Sequence, residues 1–313
     1  MQKIKSDDTI QLISIDVGRN SIKGYTEFLG ESYQYKFLSI ISDARPLNNL
    51  DNYKEPIWIE TNEGQFFCGE LAYKEGYQVV RNSSDSKTSL TVKVLIQAMI
   101  LKLTKCDNIK IMINVPNNQF KKSVLLDIIS TYKDKILRIK DKINNMSKIV
   151  NIIDCDIARE GDACAFSVMG DKLNERDSVF ITIGYKTSEV TFMNKGMLYN
   201  DKYSRSIPFG VNTMLLNVQN ELKNRGVTIE TFEIDLNDED YNELKKVAFD
   251  FANEIFIQHI EGLMPSRLSE LDIYVSGGGS LNLNRLDDRF MRVENPLFSV
   301  AKGLYYIGKI ILM

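Results

Sequence analysis

The apolar positions of the chain repeat one local pattern in its two halves. An apolar run at residues 12–17 leads through turn-forming residues 18–21 into a second run that ends at residue 28. The same order of strand, turn and return strand recurs at residues 179–193, with residues 184–187 as its turn. Short apolar runs joined by Gly, Asn and Ser are typical of β-hairpins. The sequence therefore predicts two equivalent hairpins.

The two hairpins align residue by residue, which indicates an internal duplication. The alignment pairs Asp16 with Thr182, Gly18 with Gly184, Ser21 with Thr187, and Lys23 with Glu189. In each half the hairpin is followed by helical segments, a further strand, a loop of small residues and a helix. Because alternation of strands and helices favours an α/β architecture, we expect a duplicated two-domain α/β fold.

Between the hairpins, the apolar pattern predicts a mixture of short strands and helices. Predicted strands cover residues 35–41, 56–59, 66–69, 109–115 and 150–153, and predicted helices cover residues 90–103 and 120–137. Pro116 ends the strand before it, since Pro has no backbone N–H to donate. The small residues that follow Glu160 predict a connecting helix.

In the second half, apolar residues at i, i+3, i+4 and i+7 predict two amphipathic helices, each with one buried face. Their apolar positions are Val211, Met214, Leu215, Val218 and Leu222 in the first, and Leu244, Val247, Ala248, Phe251 and Ile255 in the second. A strand at residues 271–275 and a helix at residues 298–307 follow. The acidic stretch 228–240 is predicted to be an exposed insertion, and the apolar residues 307–313 a packed terminus.

Length and composition describe an ordinary globular chain with room for two cores. The 313 residues are 43% hydrophobic and 26% charged, and the formal net charge is −3, which argues against a surface that clings to nucleic acid or anionic lipid. Four cysteines without a C-x-x-C pair and a single histidine suggest neither a disulfide framework nor a zinc site. The polar first nine residues and the short apolar stretch 90–103 predict a cytoplasmic protein without a membrane partner.

Three glycine turns are the candidate anion-binding sites. They occupy residues 18–21, 184–187 and 277–279, and each follows an apolar strand. A glycine lets backbone N–H groups approach an anion without a Cβ in the way, and open α/β sheets bind ligands at strand ends. Asp16, before the first turn, is placed to hold Mg²⁺ through water or to cap the turn. Lys23 is placed to contact phosphate or simply to be solvated.

Several other activities have no motif in the sequence. Neither the P-loop pattern nor G-x-G-x-x-G is present, and there is no G-x-S-x-G for a serine hydrolase. His259 lies in an apolar helical context that favours a structural role, and Trp58, the one tryptophan, gives no stacking platform for nucleic acid. We expect no direct contact with nucleic acid.

The glycine turns and their flanking strands resemble a known superfamily. Residues 15–23, 181–189 and 275–280 are similar in order and spacing to the phosphate 1, phosphate 2 and adenosine motifs of the actin, Hsp70 and sugar-kinase superfamily. Residues 67–72, 113–116 and 298–308 are most similar to ParM-like bacterial actins, which segregate plasmids. The resemblance covers nearly the whole chain. It implies an actin-like, ribonuclease H-like α/β fold, with two duplicated domains around a central nucleotide cleft.

The resemblance and the pattern together predict the domain limits. Domain I would span residues 1–170, with a small inserted subdomain at about 33–85. Domain II would span residues 171–313, with a reduced small subdomain at about 225–242. The C-terminal helix would return to domain I.

The resemblance also implies roles for individual residues. Glu160 is placed where the family has the residue that orients or deprotonates the attacking water, although a carboxylate at a helix start also suits the helix dipole. Asp16 shares the catalytic role and, with Thr182, would hold Mg²⁺. The nucleotide, ATP or GTP, would be bound by Gly18, Arg19, Asn20, Ser21, Lys23, Gly184, Tyr185, Lys186, Thr187, Gly277, Gly278, Gly279 and Ser280.

The sequence departs from the family pattern in the phosphate 2 motif. Thr182 stands where the family has an acidic residue, Tyr185 replaces the usual second Gly, and Glu189 takes a later acidic position. Threonine contributes a hydroxyl to a metal site but no charge. The departure bears on Mg²⁺ affinity and hydrolysis rate rather than on nucleotide binding, and it is consistent with slow turnover.

The function implied is that of a polymerising ATPase. Nucleotide-dependent filaments of this chain would segregate plasmid DNA through an adaptor DNA-binding protein at a centromere-like site. A small-molecule kinase or an exopolyphosphatase of the same superfamily is a second reading. A nucleotide-binding scaffold without hydrolysis, motivated by Thr182, is a third.

Overall fold

The chain divides into two units in the computed structural model, which describes residues 9–48, 50, 52–83, 86–169, 176–236, 240–264 and 270–313. Unit 1 comprises the residues up to Val115, Gln119–Arg159 and Ala301–Met313, and unit 2 comprises Pro116–Asn118 and Glu160–Val300. Gly170, the predicted end of the first domain, lies outside the described residues. The domain limits and the small subdomains stay predictions.

Unit 1 is built on a 10-stranded sheet. Its strands are β1 (Ile10–Val17), β2 (Ser21–Phe28), β3 (Glu31–Leu38), β4 (Ile40–Asp43), β5 (Ile57–Thr61), β6 (Gly64–Cys68), β7 (Val80–Arg81), β8 (Asn108–Val115), β9 (Lys135–Asp141) and β10 (Met146–Arg159). They lie in the order β3-β2-β1-β8-β10-β9-β5-β6-β4-β7. The helices within its sequence are α1 (Glu70–Glu75), α2 (Leu90–Leu103) and α3 (Lys122–Tyr132).

The central strands of this sheet are covered by helices that the sequence pattern explains. Helix α2 is almost wholly buried, as its near-continuous apolar run predicts, and the Ser89 hydroxyl caps it by accepting from the Val92 N–H at 3.4 Å. Helix α8 (Ser299–Ile311) packs on β1 and β8. There the Ser14 hydroxyl donates to the Ala301 carbonyl at 2.6 Å, and Gly308 lies against Leu12 and Met112.

Unit 2 is built on a smaller sheet. Its strands are β11 (Ser178–Ile183), β12 (Ser188–Asn194), β13 (Leu198–Tyr199), β14 (Arg205–Ile207), β15 (Asp272–Ser276) and β16 (Phe290–Arg292). The order is β13-β12-β11-β15-β16, and β14 also pairs with β12. The helices are α4 (Glu160–Met169), α5 (Val211–Asn224), α6 (Thr231–Leu236) and α7 (Asn242–Leu263). Among the residues described, no helix is both long and apolar enough to cross a membrane.

The two hairpins share one register, which confirms the predicted duplicated α/β fold. Asp16 is the cross-strand partner of Lys23 in the first hairpin, and Thr182 is that of Glu189 in the second. In both units the first strand of the hairpin also pairs with a parallel strand: β1 pairs with β8, and β11 pairs with β15. The residues aligned from the sequence thus occupy equivalent places in the two sheets.

The segment after Pro116 corrects one prediction. The pattern predicts a helix over residues 120–137, whereas α3 ends at Tyr132 and residues 135–141 form β9. The backbone becomes extended at Lys133, with a ψ of 141°, which ends the helix, and Asp134 then adopts a left-handed φ of 57°. Strand β9 pairs along β10, which is far longer than the predicted strand at 150–153. Pairing with a distant strand outweighed the local helical spacing.

The second half corrects three further predictions. On α7, Val247 is 70% exposed and Phe251 is 52% exposed, whereas the buried face includes Ala252, Phe256 and Ile260. The acidic stretch 228–240 contains α6, where Ile234 is fully buried. The last residues are less packed than predicted, since Ile310 is 68% exposed.

Candidate functional site

The first glycine turn joins β1 to β2 and is held by groups from outside the hairpin. The Gly18 carbonyl accepts from the Ser39 hydroxyl at 2.7 Å and from the Asn82 amide at 3.1 Å. The buried Lys87 ammonium donates to the Val17 carbonyl at 3.0 Å. A Cβ on Gly18 would lie 2.6 Å from the Ser21 carbonyl oxygen, so the turn closes only with glycine.

Asp16 precedes this turn and is 7% exposed. Its Oδ1 accepts from the Asn114 amide at 2.9 Å, and its Oδ2 forms an ion pair with Lys23 Nζ at 2.9 Å. Asn114 also accepts from the Val17 N–H at 2.7 Å, so one amide fixes both the carboxylate and the start of the turn. Lys23 is therefore not a solvated surface lysine. The structure brings Asp16, Gly18 and Lys23 together, as the sequence predicts.

The second glycine turn, between β11 and β12, caps a helix. The Gly184 N–H donates to the Thr187 carbonyl at 3.0 Å. The Gly184 and Tyr185 carbonyls accept from the first N–H groups of α5, those of Val211 at 3.1 Å and Asn212 at 2.8 Å. These bonds satisfy donors that a helix start otherwise leaves open. Lys186 and Thr187, at the tip of the turn, are exposed.

Tyr185, which replaces the usual second glycine, is accommodated away from the tip. Its ring packs against the apolar cluster of α5 and α6 that contains Leu215 and Ile234. Its hydroxyl lies 3.0 Å from the Thr231 hydroxyl, which in turn bonds to Asn212. The larger side chain therefore fills space between helices.

The third glycine turn follows β15 and lies directly on the end of β11. Gly277 has a left-handed φ of 82°, and a Cβ there would lie 2.3 Å from the Ile183 carbonyl oxygen. A Cβ on Gly279 would lie 2.4 Å from Ile183 Cγ2. The buried Ser280 hydroxyl closes the turn by donating to the Gly277 carbonyl at 2.7 Å. Since Ile183 precedes Gly184, the second and third turns meet within unit 2.

Thr182 lies at the end of β11 with its hydroxyl buried. Its Oγ1 has no hydrogen-bond partner of ordinary geometry among the residues described. The Cys164 thiol of α4 is a polar neighbour of this hydroxyl. Burial raises the pKa of that thiol to about 11, against smaller opposing effects of the Ser276 and Thr182 hydroxyls. An orphaned buried hydroxyl at a strand end is where a further polar group would fit.

Glu189, the cross-strand partner of Thr182, is a buried carboxylate with 2% exposure. The Ser206 hydroxyl lies 2.7 Å and 2.8 Å from its two oxygens, and the Asn117 N–H donates to Oε2 at 3.0 Å. Burial raises the pKa of this carboxyl despite these hydrogen bonds, because removing the charge from water is costly.

This raised pKa predicts a pH-dependent stability. Between the ordinary carboxyl value of 4.5 and the raised folded value, the folded state holds the Glu189 proton more tightly than the unfolded state. Stability from this group is therefore present below that window and lost as the pH rises through it. Glu189→Gln lacks the titration, so its melting temperature relative to the parent should rise from pH 5 to pH 8. Parallel melting curves for the two proteins across this range would contradict the assignment.

Glu160 opens α4 and is half-buried. The next residue, Gly161, lies so close to β12 that a Cβ there would be 1.8 Å from Thr191 Oγ1. The Asn117 amide donates to that same Thr191 oxygen at 3.1 Å. The start of α4 is therefore fixed against β12, while the catalytic role of Glu160 stays a prediction.

The candidate metal ligands are few. No group of three or more His, Cys, Asp and Glu residues capable of holding a metal occurs in the part of the chain that the structure describes. Asp16 offers one compensated carboxylate in unit 1, and Thr182 offers one buried hydroxyl in unit 2. Each of these oxygens, taken by itself, suits Mg²⁺, which commonly keeps several waters and takes other oxygens from phosphate.

Several supporting residues were not predicted as site residues. Asn114 holds Asp16, Asn117 holds Glu189, and Gly210 lets α5 approach the second turn, where a Cβ would lie 2.6 Å from the Tyr185 carbonyl oxygen. The sequence did contain a signal for Asn114 and Asn117, because they flank the end of β8 in the segment Asn-Val-Pro-Asn. Polar amides beside a proline at a strand end point to a fixed turn.

Comparison with known proteins identifies the fold. The family described as "Actin like proteins N terminal domain" matches residues 14–161. A ParM filament of 15 strands from Clostridium botulinum superposes with a TM-score of 0.80 at 20% identity, covering 96% of this chain and 99% of that chain. An archaeal actin homologue in complex with ADP gives a TM-score of 0.79 at 16% identity, with coverage of 96% and 99%. A comparison with curated proteins gives no match.

Proposed function

From this actin-like fold, which confirms the resemblance seen in the sequence, we propose that the chain is a nucleotide-dependent, filament-forming ATPase. The observation that carries the proposal is the pair of hairpins with one register, each closed by a glycine turn, and a third glycine turn packed on the second. Glycine turns at strand ends present backbone N–H groups to phosphate. ATP or GTP is the ligand class this chemistry suits.

Each unit by itself offers groups suited to nucleotide binding. Unit 1 supplies Lys23, whose charge is held in place by Asp16, together with Arg19, Asn20 and Ser21 of the first turn. Unit 2 supplies the turns at residues 184–187 and 277–280. Mg²⁺, held by Asp16 through water and by the Thr182 hydroxyl, would neutralise phosphate charge when bound. Glu160 would orient the attacking water as a general base.

Filament formation is supported by the relatives in structure. One is itself a ParM filament, and another is described as a non-polymerisable mutant of a ParM, at a TM-score of 0.79 and 20% identity. Repeated head-to-tail contacts that do not close into a ring give filaments. We propose that this chain assembles in the cytoplasm and moves plasmid DNA through an adaptor protein. A formal charge of −3 favours an adaptor over direct contact with DNA.

Assembly is the first test. At micromolar concentration with Mg²⁺, we expect light scattering and the pelleted fraction to rise on addition of ATP or GTP, with filaments visible by negative-stain microscopy. The same protein without nucleotide is the control and should stay in the supernatant. A chain that binds nucleotide, stays monomeric and phosphorylates a small metabolite would support the kinase alternative instead.

A scaffold that binds nucleotide without hydrolysing it is the second candidate. One observation favours it, namely that Thr182 offers a hydroxyl where the family has a carboxylate, while Glu189 is already engaged by Ser206 and Asn117. Phosphate release separates the two candidates. Filaments that form with ATP and persist without phosphate release would establish the scaffold.

A further inference from the structure

Two segments of unit 2 that directly follow strands of unit 1 contact the same strand. One is Pro116–Asn118, which follows β8, and the other begins at Glu160, which follows β10. Both meet β12, the return strand of the second hairpin. Glu189 and Thr191 lie two residues apart on this strand, so their side chains point to the same face of the sheet.

Asn117 is held on this face by its backbone and its side chain. Its N–H donates to Glu189 Oε2 at 3.0 Å, and its amide donates to the Val190 carbonyl at 3.2 Å and to Thr191 Oγ1 at 3.1 Å. Three residues earlier on the same segment, Asn114 holds Asp16 in unit 1. One short stretch of chain therefore holds a predicted site residue at one end and β12 at the other.

Gly161 rests on the same threonine. Thr191 is fully buried, and only the missing Cβ of Gly161 lets α4 begin against its hydroxyl. The backbone of Glu160 is adjacent, so a shift of Thr191 moves the residue predicted to orient water. A displacement of about 1 Å at such a residue costs on the order of a hundredfold in rate.

Burying the Glu189 carboxylate costs free energy that a neutral side chain at the same place would not cost. A buried carboxylate is expensive unless it is well paired, and a neutral amide would fill the same space more cheaply. The carboxylate instead accepts from both Ser206 and Asn117. Hydrogen bonds to a charged acceptor are shorter and stronger than neutral ones, and they fix geometry more tightly.

We propose that Glu189, Asn117 and Thr191 form a positioning cluster, the β12 anchor, which sets the start of α4 and thereby the Glu160 carboxylate for hydrolysis. The inference rests on the proposed ATPase function. None of the three residues is assigned a contact with nucleotide. Each acts through the backbone segment that it holds.

The test compares variants that remove the side-chain hydrogen bonds of the anchor. Asn117→Ala and Thr191→Val should lower kcat for phosphate release about tenfold to a hundredfold. The Kd for a fluorescent ATP analogue should stay within about twofold of the parent, since the glycine turns are untouched. Thr191→Ser retains the hydroxyl and should restore the parental rate. Ser204→Ala is the matched control, because it removes a hydroxyl that accepts from the Phe192 N–H, further along β12, at 2.9 Å.

The outcomes separate the inference from the function on which it rests. Parental rates in both Asn117→Ala and Thr191→Val overturn the anchor and leave the ATPase intact. A fall in rate that matches an equal loss of nucleotide affinity, or that Ser204→Ala shares, also overturns it. If Thr191→Val does not fold, Asn117→Ala decides. A parental protein that releases no phosphate overturns the ATPase proposal, and the anchor with it.

Discussion

Glu160→Ala should slow phosphate release about a hundredfold or more while leaving nucleotide binding and assembly largely intact. A general base that orients water contributes on the order of 10²–10⁴ to rate, and removing it affects the chemical step alone. Filaments of the variant should therefore last longer after ATP is added. Phosphate release, analogue binding and pelleting, measured on one preparation, check the three parts of this result.

Asp162 provides the matched control for Glu160. Both residues are acidic and lie in the first turn of α4, so each interacts with the positive end of the helix dipole. Asp162→Ala should lower stability by about 0.3–1 kcal/mol, as expected for a helix-start charge, and leave the rate unchanged. If Glu160→Ala behaves the same way, Glu160 is only a helix-start residue. The scaffold reading then gains support.

Gly277→Ala should destabilise unit 2 by about 3 kcal/mol or more and abolish nucleotide binding, because two costs coincide. The left-handed φ of 82° disfavours any residue with a Cβ, and the new methyl would lie 2.3 Å from the Ile183 carbonyl oxygen. Backbone atoms cannot yield as a flexible side chain does. Thermal and urea unfolding, together with analogue binding, measure both effects.

Gly196→Ala separates the cost of the left-handed backbone from the cost of the steric contact. Gly196 has a similar φ of 80°, but nothing lies within 4 Å of its missing Cβ. This variant should therefore lose only the conformational part, about 1–2 kcal/mol, and still bind nucleotide. Equal destabilisation in the two variants would show that the contact with Ile183 relaxes, and that the third turn is less rigid than its packing indicates.

The sequence was sufficient for the hairpins because their information is local. Apolar runs and turn-forming residues predicted the strands, and the alignment of Asp16 with Thr182 predicted that the two hairpins are equivalent, as their shared register shows. The stretch after Tyr132 could not be predicted in the same way, since β9 exists by pairing with β10. Helical spacing within residues 120–137 says nothing about a strand that lies further along the chain.

Helix α7 shows a second limit of the pattern. Hydrophobic spacing placed Val247 and Phe251 inside, yet both are largely exposed, and the buried face includes Ala252 and Asn253. The Asn253 side chain accepts from the Arg285 N–H at 3.0 Å and donates to the Phe249 carbonyl at 2.7 Å. A buried polar residue that satisfies a neighbouring loop has no signature in hydrophobic periodicity.

In the candidate site, too, the sequence revealed the local contacts and not the contacts between distant segments. Asp16, Gly18 and Lys23 meet because they share one hairpin, which the sequence makes visible. By contrast, Asn114 is 98 residues from Asp16 along the chain, and Asn117 is 72 residues from Glu189. Such contacts arise only when the sheets are assembled, so residue type and spacing could not reveal them.

The chain order of the two units has a consequence for synthesis on the ribosome. Unit 1 needs Ala301–Met313 to cover β1 and β8, but these residues emerge only after all of Glu160–Val300 has been made. At ordinary elongation rates the delay is on the order of ten seconds. During that time unit 2 is free to fold, while the Leu12 and Met112 surface that later receives Gly308 stays uncovered. A nascent chain stalled before Ala301 should therefore be a substrate for chaperones that bind exposed apolar strands.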